Sequence, residues 1–362
     1  MRYHKFGLLE YDAAQATPGY TIFTPIHADN HTTYLLDMKG EVVHEWDVSV
    51  FRTGYGKLLP NGNLLTVLKA DLETPPGREG MRVIHEFDWD GNIVWQCDAP
   101  AQHHDFHRLP NGNTVYLGFE RFRPDSIARL QGGVPGTEMP DGGVLGDYIC
   151  EVNMTGETVW EWHAQDEMEI ENYPIHPLSR RDEFCHANSL FPLANGDYLI
   201  SFRRNSWIFI IDRKTKKVRW EKNDYGWGGQ HDAQVLDNGN IMLFANGQYG
   251  ESPTDCSRVI EFNPETGVEA WRYEGDPPYT FFSQHISGAQ RLWSGNTLIC
   301  EGLWGRIFEV TPDGEIVWEY ISSHFGPCGP ASADKPSAIA NWVFRAYRYA
   351  PDSPEINGRL PG

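Results

Sequence analysis

The feature that most constrains this chain is a pair of short phrases that alternate along nearly all of its length. The first phrase centres on Asn-Gly or a close variant: Leu59-Pro60-Asn61-Gly62-Asn63, Leu109-Pro110-Asn111-Gly112-Asn113, Leu193-Ala194-Asn195-Gly196-Asp197, Leu236-Asp237-Asn238-Gly239-Asn240 and Leu292-Trp293-Ser294-Gly295-Asn296. Asn-Gly between alternating apolar runs signals a hairpin, with both residues expected at positive φ. The second phrase, close to Gly-x-x-Val-x-x-Trp, is centred on Trp46, Trp95, Trp160, Trp220, Trp271 and Trp318, at spacings of 49, 65, 60, 51 and 47 residues. Two hairpins in a period of about 50 residues make four strands, which is the pattern of a propeller blade. No long window carries a competing helical period.

Six Trp phrases against five turn phrases leave one blade short of an inner strand. Asn341–Tyr349 reads as that strand, joining strands near 19–25, 32–37 and 41–47. The expected fold is therefore all-β: a six-bladed β-propeller, one domain over residues 1–362, its last blade closed by strands from both termini. Such closure removes sheet edges that invite aggregation. A count of seven blades stays open, because irregular stretches blur the blade edges. Residues 120–147, within the second blade, and 164–183, between the second and third, break the period. Loops of this length are usually functional or disordered, and the expectation is that they are lids over the channel mouth.

Composition narrows the function. The 362 residues hold 30 Lys+Arg against 50 Asp+Glu, a formal net charge of −20. Nucleic-acid binders and proteins docking on anionic membranes need clustered cations, so neither partner is expected. No apolar run is long enough for a transmembrane helix, and the first residues are too polar for the apolar core of a signal peptide. Six widely spaced cysteines without a CxxC pair read as free thiols, and a cytoplasmic location is expected. Nothing in the sequence resembles a Walker loop, a dinucleotide fingerprint, HExxH or GxSxG, so no nucleotide cofactor and no serine-hydrolase chemistry are expected.

Histidines stand out on the inner strands. His104 and His231 each precede the recurring Leu by five residues, in His-Asp-x-x-x-Leu. His186 and His285 precede it by seven. Both offsets are odd, so on regular strands all four rings share one face, toward the central axis. Asp105 and Asp232 then point the other way and brace the strands. Four imidazoles at matching depth serve proton transfer or covalent catalysis, or they hold a divalent metal such as Zn, Mn or Cu. The bland alternative is that they bond neighbouring blades. Arg203, Arg204, Arg258 and Arg345 are cations for an anionic substrate or inter-blade salt bridges. Trp227, Phe281, Phe282, Trp304 and Trp342 wall an aromatic or sugar pocket or fill the space between blades.

The phrases Gly19–Pro25, Gln230-His231-Asp232-Ala233, Ile286–Leu292, Gly295–Gly302 and Arg345–Tyr349 resemble the arylsulfotransferase-like propeller family. The resemblance runs along nearly the whole chain. It implies transfer of a sulfuryl group between phenols through a sulfated histidine, without the nucleotide donor PAPS. It also implies that His285, His231 and His104 are the site histidines, with His285 the nucleophile. The chain departs from the family in having no export signal, in carrying Gln248 and Tyr249 where the sulfate-binding arginine is expected after Phe244–Gly247, and in adding His186. The leading expectation is a histidine-lined enzyme that transfers or hydrolyses a sulfate-type aryl ester, with a small aromatic or anionic substrate. Two alternatives stay open: a histidine-ligated metal enzyme (lyase, isomerase or hydrolase) on a sugar acid or aromatic substrate, and a non-catalytic binding propeller. Oligomeric state is not legible.

Overall fold

The computed structural model of the chain describes residues 5–28, 32–48, 54–69, 80, 82–248, 255–328 and 337–360. Six four-stranded antiparallel arrays follow one another along the sequence, and the fold is a six-bladed β-propeller. In chain order the blades start at Gly56–Leu58, Gln102–Arg108, Ala187–Pro192, His231–Val235 and Gly288–Arg291. The sixth has the order Val343–Tyr349, Tyr20–Pro25, Thr32–Leu36, Val42–Asp47. Its seam pairs Tyr20 with Tyr349, Ile22 with Tyr347 and Pro25 with Val343. The expected closure by both termini is therefore present. A second terminal strand, Gly7–Tyr11, adds a fifth strand to the fifth blade by pairing with Ile316–Ile321.

The chain divides into two compact units. One comprises Met1–Lys69, Val83–Gln96 and Thr280–Gly362; the other comprises Ala70–Arg82 and Cys97–Tyr279. The first holds the first, fifth and sixth blades and the second holds the other three.

The Asn-Gly turns differ in type from the expectation. Only the glycine is left-handed, Gly62 at φ 81° and Gly112 at φ 89°, and neither preceding asparagine is among the residues with positive φ. The Gly62 amide donates to the Leu59 carbonyl (2.7 Å), which places Pro60 and Asn61 at the centre of the turn. This is a type I turn followed by a left-handed residue, which also matches strand twist. The asparagine after the glycine has a further task. Asn63, Asn113, Asn240 and Asn296 each donate Nδ2 to a glutamate on the third strand of their own blade: Glu86, Glu151, Glu261 and Glu309, at 2.6–2.7 Å.

The Trp phrase is a latch between successive blades. The indole N–H of Trp46 donates to the Asp88 carbonyl (3.0 Å) and that of Trp318 to Met38 (2.9 Å) in the first unit. In the second unit Trp160 donates to Arg213 (3.0 Å) and Trp220 to Pro264 (3.1 Å). Each acceptor lies in the turn between the third and fourth strands of the next blade. Changing Trp220 to Phe keeps an aromatic ring but removes the donor and part of the packed indole, so stability to denaturant should fall by at least about 0.5–1.5 kcal/mol. An unchanged midpoint would show that the latch contributes nothing.

The two period-breaking segments carry structure of their own, all within the second unit. Residues 120–147 contain the helix Pro124–Arg129 and the strand Gly132–Val134; residues 164–183 contain the strand Ile175–Arg180. The two short strands pair in parallel, Gly132 with Ile175 and Val134 with Arg180. Ion pairs Arg129–Glu171 and Arg181–Glu138 tie the segments further. They share the apolar cluster of Phe122, Leu130, Met168, Ile170 and Ile175. Each insertion thus covers the apolar surface that the other leaves open.

Candidate functional site

The inner strands of the site blades begin in an unusual backbone conformation. His104 (φ 55°), Cys185 (φ 63°) and His186 (φ 59°) are left-handed, as is Asp232 (φ 54°) directly after His231. Ile286 (φ 54°) and Ser287 (φ 86°) follow His285 in the same way. For L-residues this costs on the order of 1–3 kcal/mol each and persists only where surrounding bonds impose it. At His186 those bonds are visible: its carbonyl accepts from Arg203 N (3.0 Å), and the next amide, Ala187 N, donates to Asp147 Oδ1 (3.0 Å). The ladders also slip beside each of these histidines, between Tyr116 and Gly118, Ala187 and Ser189, and His231 and Gln234. The inner strands are bulged, so simple alternation does not govern where the rings lie.

Within the second unit the structure brings His104, His186 and His231 into one group and adds His103. The His104 and His186 rings meet edge to face with centroids 4.7 Å apart. His103 Nδ1 lies 2.8 Å from His104 Nδ1, and His103 Nε2 lies 3.3 Å from Asp147 Oδ1. His186 Nδ1 is 2.5 Å from Glu183 Oε2, and His231 Nδ1 lies 3.1 Å from the Gly229 carbonyl and 2.7 Å from Asn246 Oδ1. Carboxylate and carbonyl oxygens only accept, so both rings carry their proton on Nδ1. In His186 and His231, Nε2 is then the nitrogen with the lone pair, while His104 shares one proton with His103 through their Nδ1 atoms.

Electrostatics keep His104 and His186 neutral. Burial pushes His104 well below the usual imidazole range, helped by the neighbouring His186, His103 and His231 and by the Arg203 guanidinium. Burial lowers His186 to about 4 against the opposing pull of Glu183, with Arg203 and Arg204 adding to the lowering. Both are unprotonated at neutral pH. Cys185, next in the chain, is no competing nucleophile: burial drives its thiol well above the ordinary range, and Asn205 Nδ2 donates to its sulfur (2.8 Å). A neutral imidazole fixed through Nδ1 can attack an electrophile, take a proton or bind a metal through Nε2.

Asp105 braces the strands as expected. Its carboxylate accepts from Phe106 N and, in the next blade, from Leu190 N, both at 2.9 Å. Arg204 lies at the site, donating to Asp182 Oδ1 (2.9 Å) with Glu183 Oε2 at 3.4 Å. Arg203 Nη2 donates to Gln248 Oε1 (2.8 Å), the residue standing where the family arginine was sought. A cavity of about 150 Å³ opens here, with Leu178–Arg180 of the second insertion on one side and Arg203, Arg204, Gly229 and Gln248 on the other.

The remaining expected residues are placed elsewhere. Arg258 donates to the Gly226 carbonyl (2.5 Å), and Trp227 is buried against Phe262 in the core of the third and fourth blades, where it packs rather than walls a pocket. Tyr249 lies outside the described residues. In the first unit His285 meets the Trp342 ring edge to face (5.0 Å), and Trp342 also contacts His27 (4.9 Å). Trp304 donates to the Phe282 carbonyl (2.9 Å) while much of its ring stays exposed, and Phe281 is buried on Phe308. Arg345 is buried over Phe344 of the closing blade and over Tyr55, which directly precedes the first blade's inner strand, a packing role between the two blades.

His103, Glu183 and Asp147 were not singled out from sequence. His103 sits directly before His104 in the sequence, whereas the two carboxylates lie in or at the ends of the insertions, with no spacing that ties them to histidines. Among the described residues no three His, Cys, Asp or Glu side chains are grouped to hold a metal ion, and no helix is long and apolar enough to cross a membrane.

Comparison with known proteins agrees with this architecture. A solved structure of a protein of unknown function from Bacteroides caccae overlays with a TM-score of 0.57 at 14% identity, covering 91% of this chain and 98% of that one. At that identity the likeness shows the fold alone. A streptogramin B lyase (TM-score 0.48, 12% identity, 95% of this chain and 98% of that one) and virginiamycin B lyase from Staphylococcus aureus (0.44, 10%, 88% and 89%) overlay more loosely. Among curated proteins none matches in sequence. The family model described as arylsulfotransferase (ASST) matches residues 55–323, most of the chain and all four blades that carry the inner-strand histidines, and the chain belongs to that family.

Proposed function

We propose that this chain is a group-transfer enzyme that moves the sulfuryl group of an aryl sulfate to a phenol, or to water, through a histidine nitrogen. The observation that carries the reading is the His186–Glu183 pair beside neutral His104 and the Arg203 and Arg204 guanidiniums. In the first half-reaction Nε2 attacks sulfur; the N–S bond forms as the aryl S–O bond breaks, and its electron pair leaves on the phenolate. Glu183 stabilises the cationic ring through its Nδ1 proton, and the arginines offset charge on the sulfuryl oxygens. In the second half-reaction the acceptor oxygen attacks sulfur, the N–S bond breaks and a base takes the acceptor's proton. His104 and His231 are suited to that proton.

His186 is the nucleophile its own unit best prepares, because a carboxylate on Nδ1 raises the basicity of Nε2. The family likeness assigns the attack to His285 instead. Incubation with 4-nitrophenyl sulfate, an alkaline quench and peptide mass spectrometry separate the two. One added sulfuryl group on the His186 peptide is the expected result. The same mass on the His285 peptide would transfer the attack there and leave His186 a base. No turnover and no modified histidine would end the sulfuryl-transfer reading.

A further inference from the structure

We propose that the arginine-lined cavity takes a second, non-reacting oxyanion of the substrate, so that the preferred aryl sulfate carries a further carboxylate or sulfate on its ring. The proposal rests on the sulfuryl-transfer reading for its substrate class; its site shares Arg203 and Arg204 with that reading and adds Arg180 and Gln248. Among the described residues no imidazole lines the cavity, so a group seated in it is not the one transferred. Its volume of about 150 Å³ equals roughly five waters. That would also admit a small ring, but three of the seven lining residues are arginines. Among the described lining residues Arg180, Arg203 and Arg204 contribute guanidiniums and Gln248 an amide, whereas Leu178 is the one large apolar residue.

The guanidiniums are held in place by neighbours. Arg180 Nε approaches Asp182 Oδ2 (3.2 Å), and Arg204 Nη1 donates to Asp182 Oδ1 (2.9 Å) and to the Arg180 carbonyl (3.0 Å). Gln248 holds Arg203 through a neutral oxygen. A guanidinium offers five N–H donors in a planar fork, which suits an oxyanion that accepts two at once. Arg180 is the last residue of the insertion strand Ile175–Arg180. The second insertion thereby brings a cation to a wall that the repeat itself does not supply, and becomes the element that selects substrate charge.

The test compares Arg180→Gln with the unmodified full chain, since Arg180 lies outside the proposed machinery of sulfuryl transfer. Substrates are phenyl sulfate, the sulfate ester of 4-hydroxybenzoate, and benzene-1,4-disulfate. Each variant-to-parent ratio is taken on one substrate, which cancels leaving-group reactivity. kcat/KM should fall about tenfold for a doubly anionic substrate and stay within about twofold for phenyl sulfate. A loss confined to the benzoate ester or to the disulfate identifies which oxyanion the cavity prefers. Equal losses on all three, or none, overturn the proposal. Calorimetric binding of 4-hydroxybenzoate runs independently of turnover. If no aryl sulfate reacts but Arg180→Gln weakens this binding, the sulfuryl-transfer reading fails while the oxyanion site stands; unaltered or absent binding removes the site.

Discussion

Replacing Arg348 by Met is expected to destabilise the protein by about 3–5 kcal/mol, because it strips the partner from a carboxylate sealed in the interior. Arg348 and Glu309 are both fully buried and ion-paired where the C-terminal strand of the closing blade meets the fifth blade. Arg348 Nε donates to Thr21 Oγ1 (3.0 Å) and Nη1 to the Thr17 carbonyl (3.1 Å), and its guanidinium lies 4.6 Å over the Trp318 ring. Glu309 Oε1 accepts from Thr17 N (2.7 Å), Thr17 Oγ1 (2.6 Å) and Asn296 Nδ2 (2.7 Å). The network joins both terminal segments to the fifth blade. A buried charge left alone costs far more than the pair contributes, so removing both charges together should restore much of the loss. Urea unfolding of Arg348→Met, Glu309→Gln and the double variant forms the cycle. Single-variant losses below 1 kcal/mol, or a double variant as unstable as the two losses added, would refute the coupling.

The architecture was legible in the sequence because it repeats. An Asn-Gly turn or a Trp a few residues after a turn is weak alone, but five copies of the one and six of the other, alternating along the chain, define blades, and the missing inner strand pointed to Asn341–Tyr349. What repetition could not supply was whatever occurs once. Gly7–Tyr11 is five residues with no repeat partner, and its pairing edge exists only after the fifth blade forms. The turn type was misread for a related reason: Asn-Gly served two hairpin geometries, and Pro60 before the asparagine favours the one with a type I centre.

The site divides along the same line. His104, His186 and His231 were found from their offsets to a recurring Leu, although the bulges that shape their strands undo the parity used to place them. His103, Glu183 and Asp147 escaped because contacts between a repeat and an insertion leave no periodic trace. Arg203 was noted only as one cation among several; its bond to Gln248 joins two blades 45 residues apart in sequence. A left-handed histidine is only weakly signalled by residue type: histidine is enriched at positive φ together with asparagine and aspartate, but the conformation stays uncommon for all three and is routine only for glycine.

Changing Glu183 to Gln should cost about 10²–10⁴-fold in kcat for an aryl sulfate, the range associated with loss of positioned acid–base assistance. Gln keeps the shape but offers Nδ1 of His186 either a donor or a neutral oxygen, so neither the tautomer nor the basicity of Nε2 is maintained. Because Glu183 favours the protonated ring against burial, its loss also moves the His186 pKa below its present value of about 4. The pH profile therefore separates positioning from mere damage to the fold. If the sulfuryl group passes through His186, the neutral ring is the active form, so activity of the parent protein should persist as pH falls from 7 to 5 and disappear near 4, with the acid limb shifted lower still in Glu183→Gln. Stability carries the matching sign: the unfolded chain protonates this histidine near 6.5 while the folded chain does not, so folding weakens as pH falls from 6.5 toward 4. An acid limb near 6.5 in the parent, or a Glu183→Gln enzyme with unchanged kcat, would remove His186 from the chemistry and leave its pair with Glu183 a structural contact.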